Sequence, residues 1–373
     1  MASEATGYRE SWGEWADRHS STFFIAPAVT LILIFAIFPT FYSIVFALSR
    51  VKFSADGLQF RFVWLQNFQK QFAGNEQVHF LGKLGTMSAI GWIFSLIAIA
   101  AVLWWLYRSI GKTSWVGMIG RLISAASAIG VALLLGATLL SGNQWGTLLT
   151  TLFYVLVGCG LQFVIGTGLA FLCSQPISGK SFFRVLFFIP LMITPLGVGY
   201  AFKMILDITK GPFEPFWNLI GLHDWAWSTD AWAARWFIVV GDSWQWIPFI
   251  FIVMLAALEN VARDHVEAAQ VDGASSVQIF REIIWPQIVP VAATVFLIRM
   301  IEGFKIVDLP NIMTSGGPGI ATESMSLHSF FIWRANDYGQ SAAVAYLLLI
   351  LTVVVCSSFF NFVVLKQMRK AHA

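Results

Sequence analysis

Charge is what this chain has least of. Only 12% of its 373 residues are Asp, Glu, Lys or Arg, against roughly 25% in a soluble domain, which excludes a free-standing globular enzyme or binding module. Cysteine is scarce as well. Cys159, Cys173 and Cys356 all fall inside apolar stretches, so they read as small membrane residues and not as a disulfide framework or metal site. No His, Glu or Cys spacing suggests a catalytic metal, and no paired carboxylate, His cluster or activated nucleophile can be placed. A net charge of +3 is too small to argue for nucleic acid. A phosphate-binding loop is missing too. Gly111-Lys112-Thr113 imitates the end of one, but Leu106 stands at its first glycine position, and a span precedes it where a strand is required. Residues 1–22 carry Glu4, Glu10, Glu14 and Asp17 against Arg9 and Arg18, the wrong sign for the basic start of a secretory signal.

What is present is hydrophobic length. Mean hydropathy is +0.72 and 57% of residues are hydrophobic; the 17 Trp and 34 Phe suit a lipid-facing surface with rings at its interfaces. Stretches able to supply about 20 apolar residues occur near 23–48, 85–107, 117–141, 148–173, 185–207, 236–258, 288–308 and 341–365. Their runs lack the alternation of a barrel, so the expected class is an all-α integral membrane protein of about eight transmembrane helices. Even span number puts both termini on one side. With the N-terminus inside, 12 Lys and Arg fall in cytoplasmic segments and 8 outside, a bias in the expected direction. The chain divides into a cytoplasmic segment 1–22, a first span with an external segment at 23–83, two further spans at 84–145 and a core at 146–373. Gly158, Gly160, Gly166 and Gly168 within one span read as small-residue helix packing.

Between two apolar stretches lies a polar island at 259–286. Residues 262–271 can form a helix whose Ala262, Ala268 and Ala269 let another surface come close. Gly273 can take a positive φ and end it; Ser275 or Ser276 can cap the next helix, and Pro286 marks the following span. The structural alternative is an amphipathic connector lying on headgroups.

Glu267, Ala268 and Ala269, three residues, Gly273, nine residues, then Ile283, Trp285 and Pro286 resemble the EAA loop of ABC importer permeases. The fuller EAAxxDGA pattern followed by Phe280 and Pro286 resembles the carbohydrate-uptake branch, of the maltose and glycerol-phosphate permease kind. Trp285 stands where that family prefers Leu, and Val261-Ala262 where Ile-Pro is common. FVWLQNF at 62–68, FFRVLFFIPLMITP at 182–195, and the 311–339 segment with SGGPGIATES and a closing DYG extend the resemblance over most of 20–70 and 145–370. Two spans at roughly 82–145 stand where a short connection is usual. The resemblance implies a type I importer permease core with a cytoplasmic coupling helix, in a bacterial inner membrane. Implied partners are a second homologous permease, two ATPase subunits using ATP and magnesium, and a periplasmic solute-binding protein; no cofactor is implied in this chain. The residues implied to couple the ATPase are Glu267, Ala268, Ala269, Asp272, Gly273, Phe280 and Pro286.

Charge inside spans is costly, roughly 2.5–3.5 kcal/mol for Lys, Arg or Asp at a helix centre. Arg299, Glu302 and Lys305 follow at i, i+3 and i+6, with Asp308 one step further, and Lys203 and Asp207 are an i, i+4 pair. Each is read as a path lining or a structural pair. Trp244, Gln245 and Trp246, early in the sixth span, and Asn311 and Thr314, in the loop after the seventh, join Glu302 and Lys305 as substrate-path candidates. An aromatic interfacial belt is the other reading of the tryptophans. Pro190 and Pro195 are expected to kink the fifth span. An ion-coupled secondary transporter remains the competing class, and a glycerol phosphate or other polyol the competing solute.

Overall fold

A computed structural model describes residue 20 and residues 24–54, 57–109, 115–175, 179–221 and 225–361. The acidic start, the Gly-Lys-Thr sequence and the basic tail with Lys366, Arg369 and Lys370 lie outside the described residues. Among the described residues, seven helices are long and apolar enough to cross a membrane: α1 (Phe24–Ala47), α4 (Ala89–Arg108), α5 (Gly117–Ser141), α6 (Thr147–Ser174), α9 (Ala231–Glu259), α11 (Ser276–Phe304) and α14 (Tyr338–Phe359). The expected fifth span is not one helix. It is a pair, α7 (Phe182–Met192) and α8 (Pro195–Ile205), bent by 99°. Proline is the cause: Pro190 and Pro195 each lack an N–H, and Thr194 starts α8 afresh by accepting from the Gly197 N–H. Counting the pair as one span restores eight.

Between α1 and α4 the chain forms an antiparallel hairpin of β1 (Ser49–Ser54) and β2 (Gly57–Phe62), in register from Ser49↔Phe62 to Ser54↔Gly57. Two short helices follow, α2 (Gln66–Ala73) and α3 (Gln77–Leu81). Asn67 fixes the segment to the end of α1, its buried amide donating to the Ala47 and Ser49 carbonyls at 2.9 Å each.

The centre is α6, α9 and α11. Ala170, Cys173, Ile250, Phe251, Met254, Ile288 and Ala292 from these three helices form one buried cluster. A second joins Tyr154, Ile238, Val198, Leu309 and Met313, bringing in α8 and α12 (Asp308–Thr314). By contrast α1 and α4 present Phe35, Phe38, Ile90 and Ile97 outward, a surface that lipid accepts and water would not.

Lipid tails are as apolar as the side chains, so helices here associate by close packing. An added Cβ at Gly166 would stand 2.9 Å from Ile250 Cβ, whereas one at Gly168 meets nothing within 4 Å. Gly166→Ala should therefore cost about 1–3 kcal/mol by overpacking, read as a lower thermal midpoint in detergent, while Gly168→Ala leaves it unchanged. Of the four glycines in this span, Gly160 also faces open space and Gly158 is in ordinary contact with Val239, so the packing reading holds tightly at Gly166 alone.

Candidate functional site

The polar island folds as a helix, a bend and a second helix. Helix α10 (Arg263–Val271) ends where Gly273 takes φ +78°, a value a side chain rarely adopts. Ser275 then closes a capping box with Gln278 and starts α11. Sequence reasoning separated this second helix from the next span; the structure joins them, with Pro286 in the first turn after a π-helical stretch at Ile279–Ile284, where its missing N–H is tolerated. Phe280 meets Phe171 of α6 edge-on at 5.0 Å and the tilted ring of Trp285 at 5.9 Å. That gives the unusual Trp285 a role: it fills the space beside Phe280 at the base of the loop. A groove of about 440 Å³ opens between α10 and the start of α11, lined by His265, Ala268, Ala269, Asp272, Ile283 and Pro286 among others. Glu267 is exposed, and its side chain makes no hydrogen bond or ion pair to a described residue. Next to the island, Arg184 of α7 pairs with Glu259 at the end of α9.

Behind this loop, α11 carries Arg299 into the buried centre. Its guanidinium pairs with Asp242 of α9, and its Nε donates to Gln162 Oε1 of α6 at 2.6 Å. Gln162 Nε2 in turn donates to Asp242 Oδ2 at 2.7 Å and to Ser243 Oγ at 3.3 Å. The Trp246 ring lies 4.8 Å from the guanidinium. Asp242 and Gln162 were missed from sequence. A lone Asp in an apolar run needs a buried cation, and Arg299 was the available one.

Arg299 therefore does not share its environment with Glu302 and Lys305, which pair with each other at 2.6 Å on an exposed surface. Asp308 is not on their face either, because α11 ends at Phe304 and Asp308 begins α12. Lys203 and Asp207 do not pair: Lys203 donates to the Ile312 carbonyl at 3.0 Å, and Asp207 accepts from the Thr209 and Lys210 backbone beyond the end of α8. Trp244, Gln245 and Trp246 sit midway along α9, not early in it. Trp244 meets Phe202 edge-on at 5.8 Å, and buried Gln245 donates to the Ile193 carbonyl at 2.8 Å, inside the break between α7 and α8. Asn311 and Thr314 lie on α12 and not in a loop; Thr314 shares a 2.6 Å hydrogen bond with Thr322.

The Gly316–Ser324 segment is held from several sides. Tyr154 donates to the Thr322 carbonyl at 3.0 Å, and buried Arg235 donates to the Ala321 carbonyl at 2.7 Å while lying 4.1 Å over Trp145. At its end Glu323 accepts from His79 and His328 at 2.8 Å each. These three residues could hold a metal ion, a grouping invisible to a search for sequence spacing because His79 is far from the other two. The Glu323 hydrogen bond raises the His79 pKa against the opposing effect of burial. Burial pushes the Glu323 carboxyl up, but hydrogen bonds from His328 and His79 outweigh it and hold it below its usual range.

The profile of the family described as binding-protein-dependent transport system inner membrane component matches residues 162–370. The chain is 26% identical over 271 residues to the trehalose/maltose transport system permease protein MalF of Thermococcus litoralis, covering 72% of this chain and 90% of that one. It is 30% identical over 197 residues to the multiple sugar-binding transport system permease protein MsmF of Streptococcus mutans, covering 52% and 67%. Its fold resembles a chain from the crystal structure of a bacterial ABC transporter involved in import of the acidic polysaccharide alginate, with a TM-score of 0.60, 16% identity and coverage of 96% and 99%. Coverage that high takes in most of the helical pair α4 and α5, so the fold that includes them has a solved counterpart.

Proposed function

This chain belongs to the binding-protein-dependent transport system inner membrane components, a family of multi-pass permease subunits and not of enzymes, and from that premise we propose that its cargo is a sugar or sugar derivative. The relatives named for trehalose and maltose, for multiple sugars and for alginate support that choice. A second homologous permease would complete the pore. Of two ATPase subunits, binding ATP and magnesium themselves, one would seat on the α10 groove of this chain and the other on the second permease, and a periplasmic binding protein would deliver the solute. Both termini would then lie in the cytoplasm.

The observation that carries this reading is the continuity of α11. One helix runs from the Ser275 cap to Phe304, so the 24 residues from Ser276 to Arg299 span about 35 Å at about 1.5 Å per step. A push on the groove at its outer end is carried along this one helix, through the π-helical stretch at Ile279–Ile284 and past Pro290, to the Arg299–Asp242–Gln162 cluster. Closure of the ATPases would move α10 and α11 together, and α6 and α9, tied to Arg299, would follow. Glu267 would supply the polar contact that seats the loop, and Gly273 its bend.

A cationic pocket for a phosphorylated solute has less support. Arg299 is paired with Asp242, Lys305 with Glu302, and Lys203 is bonded to a carbonyl. The same pairing weakens an ion-coupled mechanism built on this helix, since a coupling group must be free to exchange its ion. If Glu302 lines the path, Glu302→Ala changes the transport affinity or selectivity in vesicle uptake, and an effect on chain abundance alone assigns it to structure.

Affinity purification of the tagged chain from native membranes tests the proposal. Recovery of an ATPase and a second permease in fixed ratio, with ATP hydrolysis stimulated by sugar-loaded binding protein, supports it. Recovery of the chain alone, active in uptake driven by an ion gradient, overturns it.

A further inference from the structure

Two imidazoles and two carboxylates meet where α3 approaches the start of α13 (Met325–Arg334). The His79 and His328 rings stack with centroids 4.5 Å apart and planes inclined by 26°. Glu323 spans one edge of the stack, 2.8 Å from His79 Nε2 and 2.8 Å from His328 Nδ1. Glu76 stands at the other edge, 4.0 Å from His79 Nδ1 and 3.9 Å from His328 Nε2.

As an ordinary hydrogen-bond network this cluster is incomplete. A separation of 3.9 Å is not a hydrogen bond, and His328 Nε2 is buried without a partner among the described residues, which is costly for a buried polar atom. Each stacked imidazole takes one oxygen of Glu323, while the second carboxylate waits just out of reach of both outer nitrogens. A cation resolves all of this at once.

We propose that His79, His328 and Glu323 bind one divalent transition-metal ion of the zinc type, with Glu76 as the outer carboxylate that orients both rings. Their ligand atoms already lie within 4.8 Å of one another. Tetrahedral ligands about 2.0–2.2 Å from one zinc stand about 3.3–3.6 Å apart, so closure requires the widest pair of ligand atoms to draw together by about 1 Å, a tilt of the two rings toward a shared axis. Two neutral imidazoles and a carboxylate favour zinc over calcium or magnesium, which take oxygen ligands. Each neutral ring that now shares its one proton with Glu323 gives up that inner proton to the ion's lone-pair bond and carries it instead on the outer nitrogen, whose N–H then points to Glu76, the arrangement by which carboxylates fix metal-bound histidines. Three protein ligands leave a fourth position for water. The ion staples the segment after the first span to the Gly316–Ser324 segment, which Arg235 and Tyr154 hold from the core.

The test uses the purified full-length chain, stripped with chelator and titrated with Co²⁺ and then Zn²⁺. One equivalent of Co²⁺ with visible d–d absorption, displaced by Zn²⁺, is expected, along with a zinc-dependent rise in thermal midpoint. His79→Ala should abolish the absorption and the rise. Its side chain is 35% exposed, so the variant remains folded where a change at buried His328 risks misfolding. Glu76→Gln should keep the spectrum and weaken affinity about 10–100-fold. Absence of d–d absorption in the unaltered chain, or equal binding by the His79→Ala chain, overturns the proposal.

Discussion

Arg299→Met alone should leave little folded protein, while Arg299→Met with Asp242→Leu restores most of it. The single change strands the Asp242 carboxylate among α6, α9 and α11 with only the Gln162 amide to satisfy it. Removing one partner of a buried pair costs about 3–5 kcal/mol, a shift of roughly 150- to 5,000-fold in the folding equilibrium. Removing both charges replaces an ion pair by apolar volume, which is often neutral or stabilising, and Gln162 keeps Ser243 within reach. The measurement is the monodisperse fraction and thermal midpoint of each variant in detergent. A single variant as stable as the parent would mean that the three helices do not depend on the pair.

The second large effect is functional. Glu267→Lys should reduce uptake to background while the chain inserts, folds and runs as the parent does on gel filtration. The exposed Glu267 carboxylate has no partner among the described residues, so reversing its charge disturbs nothing within the chain. Across an interface, losing a desolvated charged contact costs about 2–5 kcal/mol, enough to detach the ATPase at ordinary concentrations. Loss of the ATPase from the purified assembly, with vesicle uptake abolished, is the expected pair of results. Normal uptake would remove Glu267 from the docking surface.

The spans were legible because lipid demands long apolar helices, and the island was legible because polar residues interrupt them at a fixed spacing. Capping was legible in detail: Ser275 and Gly273 act as their residue types imply. The hairpin carried a signal that length obscured, since Arg50 and Lys52 alternate with Val51 and Phe53, and alternation of period two marks a strand. The bent fifth span was half legible. Two prolines announced a kink, but nothing local distinguishes a kink from a break of 99°, which depends on α9 supplying Gln245 to the opened backbone. Pairings were the least legible part. Helical spacing put Arg299 beside Glu302, and Lys203 beside Asp207; the tertiary fold offered Arg299 a buried carboxylate on another helix and Lys203 a free carbonyl at the end of α12. The His79, Glu323 and His328 cluster brings together residues 244 positions apart, beyond the reach of any window.

The interruption between Met192 and Pro195 has a mechanical meaning. Bending an intact helix breaks several main-chain hydrogen bonds together, a cost that makes a stiff rod. Here that cost was met when the chain folded, and the principal side-chain tie across the opening is the bond from Gln245 to the Ile193 carbonyl, with a net strength of about 0.5–1.5 kcal/mol. Gln245 Oε1 has no partner among the described residues, so that oxygen does not hold the amide in place. Any swing of the α8 arm against α12 would be a movement about a ready-made joint, limited by side-chain repacking and not by unwinding.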